Sequence, residues 1–415
     1  MGHPGWHLRF PRTHPIRTMF NHERRLVRQA KKQLGPITSL DCRDVDTVRA
    51  HQQLGQAARV QIHKILARRF DTLGDPSQGI AQIRRARKYQ AALQGKLQIG
   101  GLAISIQQAI RQYQASLAAW SQGAGLVDFC HPTLPKTVDG LPVSAGELAT
   151  LLQEDEVGCQ TGVIREHSGA VILWHSEEDY EETPGQRFDK LRLFFFKAAE
   201  DRIAGGFIYP DLLPGPTFGW QAGGFAQAID TLHVRPAEFE DAILPNCLAW
   251  LSLYLGPQVS RRELAAQLGP FQGGYSLTCI YQQAGLVHVE KVEFANQQVA
   301  SCSLGSKAGD YLFQTNVIRD LSQPIAAEEQ TSPQGRSWNE QRLVRTDRLI
   351  RPVQQASQPL EAVLKMLRSS RGGEAAYSNR DVKAYFIGRM TAENTSIRVG
   401  SGAALIGDKL FSMEL

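Results

Sequence analysis

The stretch that decides the fold is Val157-Gly158-Cys159-Gln160-Thr161-Gly162-Val163-Ile164-Arg165-Glu166-His167-Ser168-Gly169-Ala170-Val171-Ile172-Leu173-Trp174. Gly162–Glu166 and Ala170–Trp174 read as apolar strands flanking a His-Ser-Gly turn, so Cys159 leads into the first arm of a β-hairpin. A Gly-Cys step there suits an enzyme that cuts its own backbone and uses the freed Cys as nucleophile. After the cut, thiol and α-amino group share one residue. The amine, with a reference pKa of about 7.7–8.0, can take the thiol proton near neutral pH. The expectation is a precursor cleaved between Gly158 and Cys159. Taken alone, a Cys after a Gly is more often a small buried apolar side chain. The rest of the chain has to decide between the two.

Downstream the texture stays β. Leu191–Lys197 and Arg202–Tyr209 pair about a turn at Glu200-Asp201, and Phe225–His233 follows a Gly223-Gly224 bend. Helices are expected at Ile243–Leu255 and Arg261–Leu268, then strands at Tyr275–Gln282, Leu286–Phe294, Gln297–Ser303 and Tyr311–Thr315. Helices return at Asn339–Ile350 and Pro359–Arg368. Strands at Ala384–Arg389, Ser396–Val399 and Lys409–Met413 close the chain. Back-to-back hairpins with helices clustered between them imply an α+β fold, two mainly antiparallel sheets with helices packed outside.

Upstream the pattern is helical. Ala57–Phe70, Gly79–Leu97 and Gly101–Trp120 carry amphipathic spacing, punctuated by Gly-Asp-Pro at 74–76 and Gly-Gly at 100–101. Ser144-x-x-Glu147 is a capping-box signature ahead of a short helix that delivers the chain to Cys159. Three segments follow: a basic arm over 1–55, a helical segment over 56–158 and a catalytic core over 159–415.

Composition narrows the function classes. Of the 415 residues 42% are hydrophobic, enough for a substantial core. No run approaches the roughly eighteen apolar residues of a membrane span. The six cysteines are scattered, with no C-x-x-C and no Cys/His ligand cluster, so neither a zinc site nor a disulfide scaffold is expected, and the default compartment is the reducing cytoplasm. Residues 1–100 carry 19 Lys and Arg against 6 Asp and Glu. The plain reading of that bias is solvated Arg faces on helices. Aromatics are sparse there and no nucleic-acid signature occurs, so nucleic acid is not the expected partner. The first twenty residues, rich in Pro and Arg and without an apolar core, read as disordered rather than as a secretory signal.

A set of ordered motifs surrounds Cys159. Gly158-Cys159-Gln160-Thr161 comes first. Gly169-Ala170-Val171-Ile172-Leu173-Trp174-His175-Ser176-Glu177-Glu178 follows. Gln221-Ala222-Gly223-Gly224-Phe225-Ala226-Gln227-Ala228-Ile229-Asp230 is third. Val292-Glu293-Phe294 and Phe313-Gln314-Thr315-Asn316 come next. Ser337-Trp338-Asn339 with Arg342, Arg345 and Arg348, and finally Ser378-Asn379-Arg380, complete them. On these, from about Ser144 to Leu415, the chain resembles the acyl-coenzyme A:6-aminopenicillanic acid acyltransferase family of N-terminal-nucleophile hydrolases. Glu178 stands where that family has Asp, Ser176 where it has Asn, and Gln314 and Val317 where it has two His.

The resemblance implies a four-layer αββα sandwich. It implies Cys159 as the acylated nucleophile, Glu178 holding the freed α-amino group, Asn316 in the oxyanion hole and Arg380 near the nucleophile. Trp174, Phe225 and Ala226 would face substrate. The substrate would be a small amide or thioester with an apolar acyl group, the two cleaved chains would stay associated, and no metal or cofactor is called for. The sequence does not separate hydrolysis from acyl transfer. Two rival readings stay open: a non-catalytic relative that binds partners through its basic front, and an uncut cysteine hydrolase using His167 or His175 as base.

Overall fold

The computed structural model describes residues 38–98, 100–154, 158–178, 192–232, 234, 239–321, 344, 346, 348–368, 382–401 and 411–414. Most of the basic arm, the Ser337–Asn339 motif, Arg342, Arg345 and the Ser378-Asn379-Arg380 motif lie outside the described residues.

The chain opens with β1 (Thr38–Asp41), α1 (Thr47–Leu73), α2 (Pro76–Gln98) and α3 (Ile104–Gly123). A two-residue-per-strand hairpin, β2 (Thr137–Val138) and β3 (Leu141–Pro142), leads to α4 (Ala145–Leu152). Ser144 and Glu147 form the expected reciprocal capping box at its start. The hairpin β4 (Gly158–Arg165) and β5 (Val171–Glu178) comes next, then β6 (Arg192–Lys197), β7 (Ile203–Ile208), β8 (Phe218–Gln221) and β9 (Phe225–Leu232). After α5 (Pro245–Leu255) and α6 (Arg261–Leu268) come β10 (Phe271–Gln283), β11 (Leu286–Asn296), β12 (Gln298–Ser303) and β13 (Tyr311–Gln314). The chain ends with α7 (Pro359–Arg368), β14 (Val382–Met390), β15 (Thr395–Ser401) and β16 (Phe411–Glu414).

The strands form an eight-stranded sheet in the order β1-β6-β7-β8-β9-β10-β11-β12 and a six-stranded sheet in the order β13-β4-β5-β14-β15-β16. Among the described strands of these two sheets, β1 and β6 are the one parallel pair. Strand alternation sends each side chain to one of two cores. Phe194 and Phe196 face the helices with Leu54, Trp120 and Trp250, whereas Phe195, between them, joins Phe207, Trp220, Val163, Leu173 and Phe386 between the sheets. On the far side of the six-stranded sheet, Ile164, Trp174 and Ile387 pack against Ile350, Val353, Val363 and Leu367. The layers therefore run helix, sheet, sheet, helix.

The basic front is part of this body. α1 passes straight through the segment boundary expected at 55/56, starting from an Asp46 N-cap, and β1 forms the edge of the eight-stranded sheet. Its arginines clamp the helices to the stretch that leads to Cys159. Arg69 and Arg85 both pair with Glu154, Arg87 with Glu147, and Arg84 with Asp139. These four arginines of α1 and α2 are thus paired with acids of the same body. The shared core also means that a cut at Gly158 would leave the two pieces packed together.

His51 on α1 shows how tightly the layers are joined. It is fully buried, Nδ1 donates to Thr47 O (2.7 Å), and Nε2 accepts from Trp250 Nε1–H (3.1 Å). Burial pushes its pKa down to about 4, against a smaller upward pull from the Thr47 bond. The unfolded chain, with His51 near its ordinary value of about 6.5, binds the extra proton first as pH falls. Stability is therefore unaffected by His51 above about pH 6.5 and decreases from there down to about pH 4, by roughly 3 kcal/mol in total. Urea unfolding at pH 7.5 and pH 4.5 should show His51→Gln losing less stability over that interval than the wild type. Equal losses would mean that His51 does not titrate on unfolding.

Candidate active site

The register of the β4–β5 hairpin builds the site. Glu166 N–H donates to Ala170 O (2.7 Å) across a three-residue turn at His167, Ser168 and Gly169. Counting back from that turn sets Thr161 opposite His175 and Cys159 opposite Glu177. Alternation then points Cys159, Thr161, Val163, Leu173, His175 and Glu177 toward the eight-stranded sheet, where His175 meets the Phe218 ring at 5.7 Å.

These side chains form one buried network. His175 Nδ1 lies 2.9 Å from Thr161 Oγ1, and His175 Nε2 lies 2.9 Å from Glu177 Oε2. Tyr209, just past β7, donates its hydroxyl to Glu177 Oε1. One reactive atom each from Cys159, His175 and Glu177 falls within 4.8 Å of the others. Exposures of 1%, 0% and 1% leave these three residues no contact with bulk water, so any charge among them must be met inside the cluster.

The opposite wall is an edge of β9. β8 stops at Phe218, paired with Ala228, and Thr217 O takes the Ile229 N–H. Beyond that point two β9 carbonyls are capped by side chains from β4 and from the segment just after β13. Cys159 Sγ–H donates to Ile229 O (2.9 Å), and Asn316 Nδ2–H donates to Thr231 O (2.9 Å). Carbonyls two residues apart on a strand stand about 7 Å from each other. Cys159 and Asn316, 157 positions apart in the 415-residue chain, are therefore neighbours. Asn316 is held by the turn that follows it. The Glu293 carboxylate accepts the N–H groups of Arg319, Asp320 and Leu321 and pairs with Lys291 Nζ (3.0 Å). Gln314 donates to Thr315 O and Val317 O and closes the same turn.

The expected site residues divide accordingly. Gly158 and Cys159 open β4, Asn316 lies beside them, and Ala226 sits between the sheets. Trp174 corrects one expectation. It alternates to the far face of the six-stranded sheet and packs against the outer helices. Phe225 corrects another: it faces the helices of the eight-stranded sheet, with the Arg261 guanidinium 5.3 Å from its ring centre. Glu178 pairs with Gly158 in the backbone ladder, but its side chain and all of Arg380 lie outside the described residues. Of the two candidate histidines, His167 is exposed in the hairpin turn at the far end from Cys159, and His175 is the one beside the thiol.

The sequence reading missed Glu177, Thr161 and Tyr209. Glu177 was reachable, because the turn that frames the hairpin fixes which acid faces Cys159. The absence of a metal-ligand cluster was likewise read from spacing along the chain. The hairpin brings Cys159 within reach of His175 and Glu177, a donor set of the kind that holds a divalent cation. A cavity of ≈ 290 Å³ lined by Tyr89, Leu93, Tyr113, Leu117 and Cys247 opens between helices and takes in none of these residues. No protein-family model matches the chain, and a comparison with curated proteins likewise finds no match.

Proposed function

We propose that the chain is the precursor of an N-terminal-nucleophile amidohydrolase or acyltransferase, with Cys159 as the residue freed by self-cleavage. The observation that carries this reading is the position of Cys159. It is the second residue of an inner strand of a helix–sheet–sheet–helix sandwich, with its thiol turned between the sheets. A nucleophile at the start of such a strand is one bond away from being a chain terminus.

Before cleavage there is no α-amino group, so a side chain has to take the thiol proton. The His175–Glu177 pair supplies that base. Cys159 Sγ attacks the Gly158 carbonyl carbon, the C–N bond breaks, and the proton passes to the Cys159 nitrogen. The thioester left on Sγ is hydrolysed by water, which frees the thiol and leaves a carboxylate on Gly158. In turnover the thiolate attacks an amide or thioester carbonyl, and the α-amino group serves first as base and then as acid toward the leaving group. Asn316 stabilises the tetrahedral oxyanion. Sequencing the mature N-terminus is the direct test: Cys159 as a new first residue supports the reading, and only the original start from folded protein rejects it. Asn316→Ala should lower kcat by about 10²–10³ with a much smaller change in KM, as loss of one oxyanion donor does. Steady-state kinetics on a reporter amide checks this.

One observation favours a second reading. Cys159, His175 and Glu177 already form a thiol–imidazole–carboxylate group in the uncut chain. An enzyme working through it would need no cleavage. Intact-mass measurement of an active sample separates the two, because the second reading requires turnover by a chain that is still whole.

A further inference from the structure

We propose that Cys159, His175 and Glu177 bind one zinc-class divalent cation, and that the bound ion holds the thiol out of nucleophilic chemistry. The first half stands on geometry alone; the second rests on the self-cleavage reading.

The donors are a thiol, an imidazole and a carboxylate, the mixture that suits zinc. Three protein ligands leave the fourth tetrahedral position open. Ligand atoms around one zinc ion stand roughly 3.5 Å apart. Atoms already within 4.8 Å of one another need only small side-chain shifts to reach that arrangement. All three side chains rise from paired strands, so the backbone that carries them is rigid.

The surrounding contacts are those of a ligand shell. A metal-bound His ordinarily uses its other ring nitrogen for a hydrogen bond, and a metal-bound carboxylate is itself hydrogen-bonded. Here Thr161 Oγ1 engages His175 Nδ1, and the Tyr209 hydroxyl engages Glu177 Oε1. That leaves His175 Nε2 and Glu177 Oε2 facing each other at 2.9 Å. The metal-free ring can donate Nε2–H to Glu177 Oε2 and accept from Thr161 at Nδ1, whereas an ion bound at Nε2 would keep the ring proton on Nδ1, donated to Thr161 Oγ1. Among the described residues, no Lys or Arg pairs with Glu177; its ion-pair partner is His175. On binding, the Cys159 thiol proton goes to solvent, and the neutral His175 ring keeps its one proton on Nδ1. The sulfur lone pair becomes a metal bond and is lost to attack on Gly158.

Cobalt(II) serves as the probe. Cys130 is exposed, so the full chain carries Cys130→Ser as background. It is stripped with chelator and titrated with Co²⁺ without oxygen. The expected result is a thiolate-to-cobalt band in the near ultraviolet that saturates at one ion per chain and is displaced by Zn²⁺. Cys159→Ser should remove that band. Tyr209→Phe keeps all three ligands and should weaken binding about 10-fold or more. Near-ultraviolet circular dichroism confirms that each variant is folded. No band at one equivalent, or a band untouched by Cys159→Ser, overturns the site. The same samples on a denaturing gel test the consequence: stripped chain should accumulate two fragments and zinc-loaded chain should stay whole. A chain that gives the band and never cleaves keeps the metal site and rejects self-cleavage. A chain that cleaves and gives no band does the reverse. Cleavage at one rate with and without zinc rejects the restraint.

Discussion

Cys159→Ala is expected to give a single uncut chain of 415 residues with turnover reduced on the order of 10⁴–10⁶-fold, the scale seen when a nucleophile is removed. The substitution removes the sulfur that attacks Gly158 and the sulfur that would carry the acyl group, so cleavage and activity fall together. Its structural cost is small. The thiol donates to Ile229 O from within a strand whose backbone pairing is unaffected. Losing that bond costs about 1 kcal/mol. Loss of function in Cys159→Ala is therefore chemical, and a thermal melt close to that of the wild type verifies it. Cys159→Ser keeps a weaker nucleophile at the same place and should cleave slowly rather than not at all. Intact mass resolves the outcomes. Two pieces from Cys159→Ala, cut before residue 159, would exclude the thiol as the processing nucleophile. A wild-type chain that is whole and active assigns the chemistry to the Cys159–His175–Glu177 group instead. A wild-type chain that is whole and inert removes the enzyme and leaves a binding protein of the same fold.

Most strands were legible because their signals are local. The His-Ser-Gly turn and the apolar runs on either side define β4 and β5, and Phe194 to Phe196 mark a strand buried on both faces. The capping box at Ser144 and Glu147 announced α4 to the residue. What escaped was short or depended on partners far along the chain. β1 is four residues of Thr-Ser-Leu-Asp, made into a strand by pairing with β6. β8 is Phe-Gly-Trp-Gln, equally short and held by β7 and β9. α1 extends ten residues before the expected Ala57, to Thr47, because the N-cap at Asp46 has no apolar stripe to advertise it. The site shows the same division. Cys159 and Asn316 carry motif signals. Glu177 and His175 needed the hairpin register, and Tyr209 enters from another sheet with no signal in its own neighbourhood. The place of Trp174 beside substrate is an expectation of the resemblance, not of the strand pattern. Alternation along β5, counted from His175, sends it the other way.

Gly162→Ala should destabilise the protein by about 3 kcal/mol or more, the upper end of what overpacking a core costs. Gly162 lies opposite Trp174 across the hairpin, and the indole lies directly over it. A methyl group at Gly162 would stand 1.9 Å from Trp174 Cζ2, 2.3 Å from Cε2 and 2.6 Å from Cη2. Carbon atoms in contact need about 3.5 Å, so the ring or the strand must move. The ring has no room, being fully buried against Ile164, Ile172 and Ile387. The strand therefore yields, and β4 is the strand that holds Thr161 and Cys159 in place. Activity should fall further than stability alone explains, since small displacements of a reacting group are expensive in rate. Trp174→Leu removes the ring that creates the conflict. The double substitution should then recover part of the loss, giving a coupling energy between the two positions of about 1 kcal/mol or more. Urea unfolding of the four proteins measures it. A Gly162→Ala chain as stable as the wild type, or additive effects, would mean that Trp174 does not pack on β4. Coupling instead identifies Trp174 as the template against which the nucleophile strand is laid, a role that requires its distance from the substrate side.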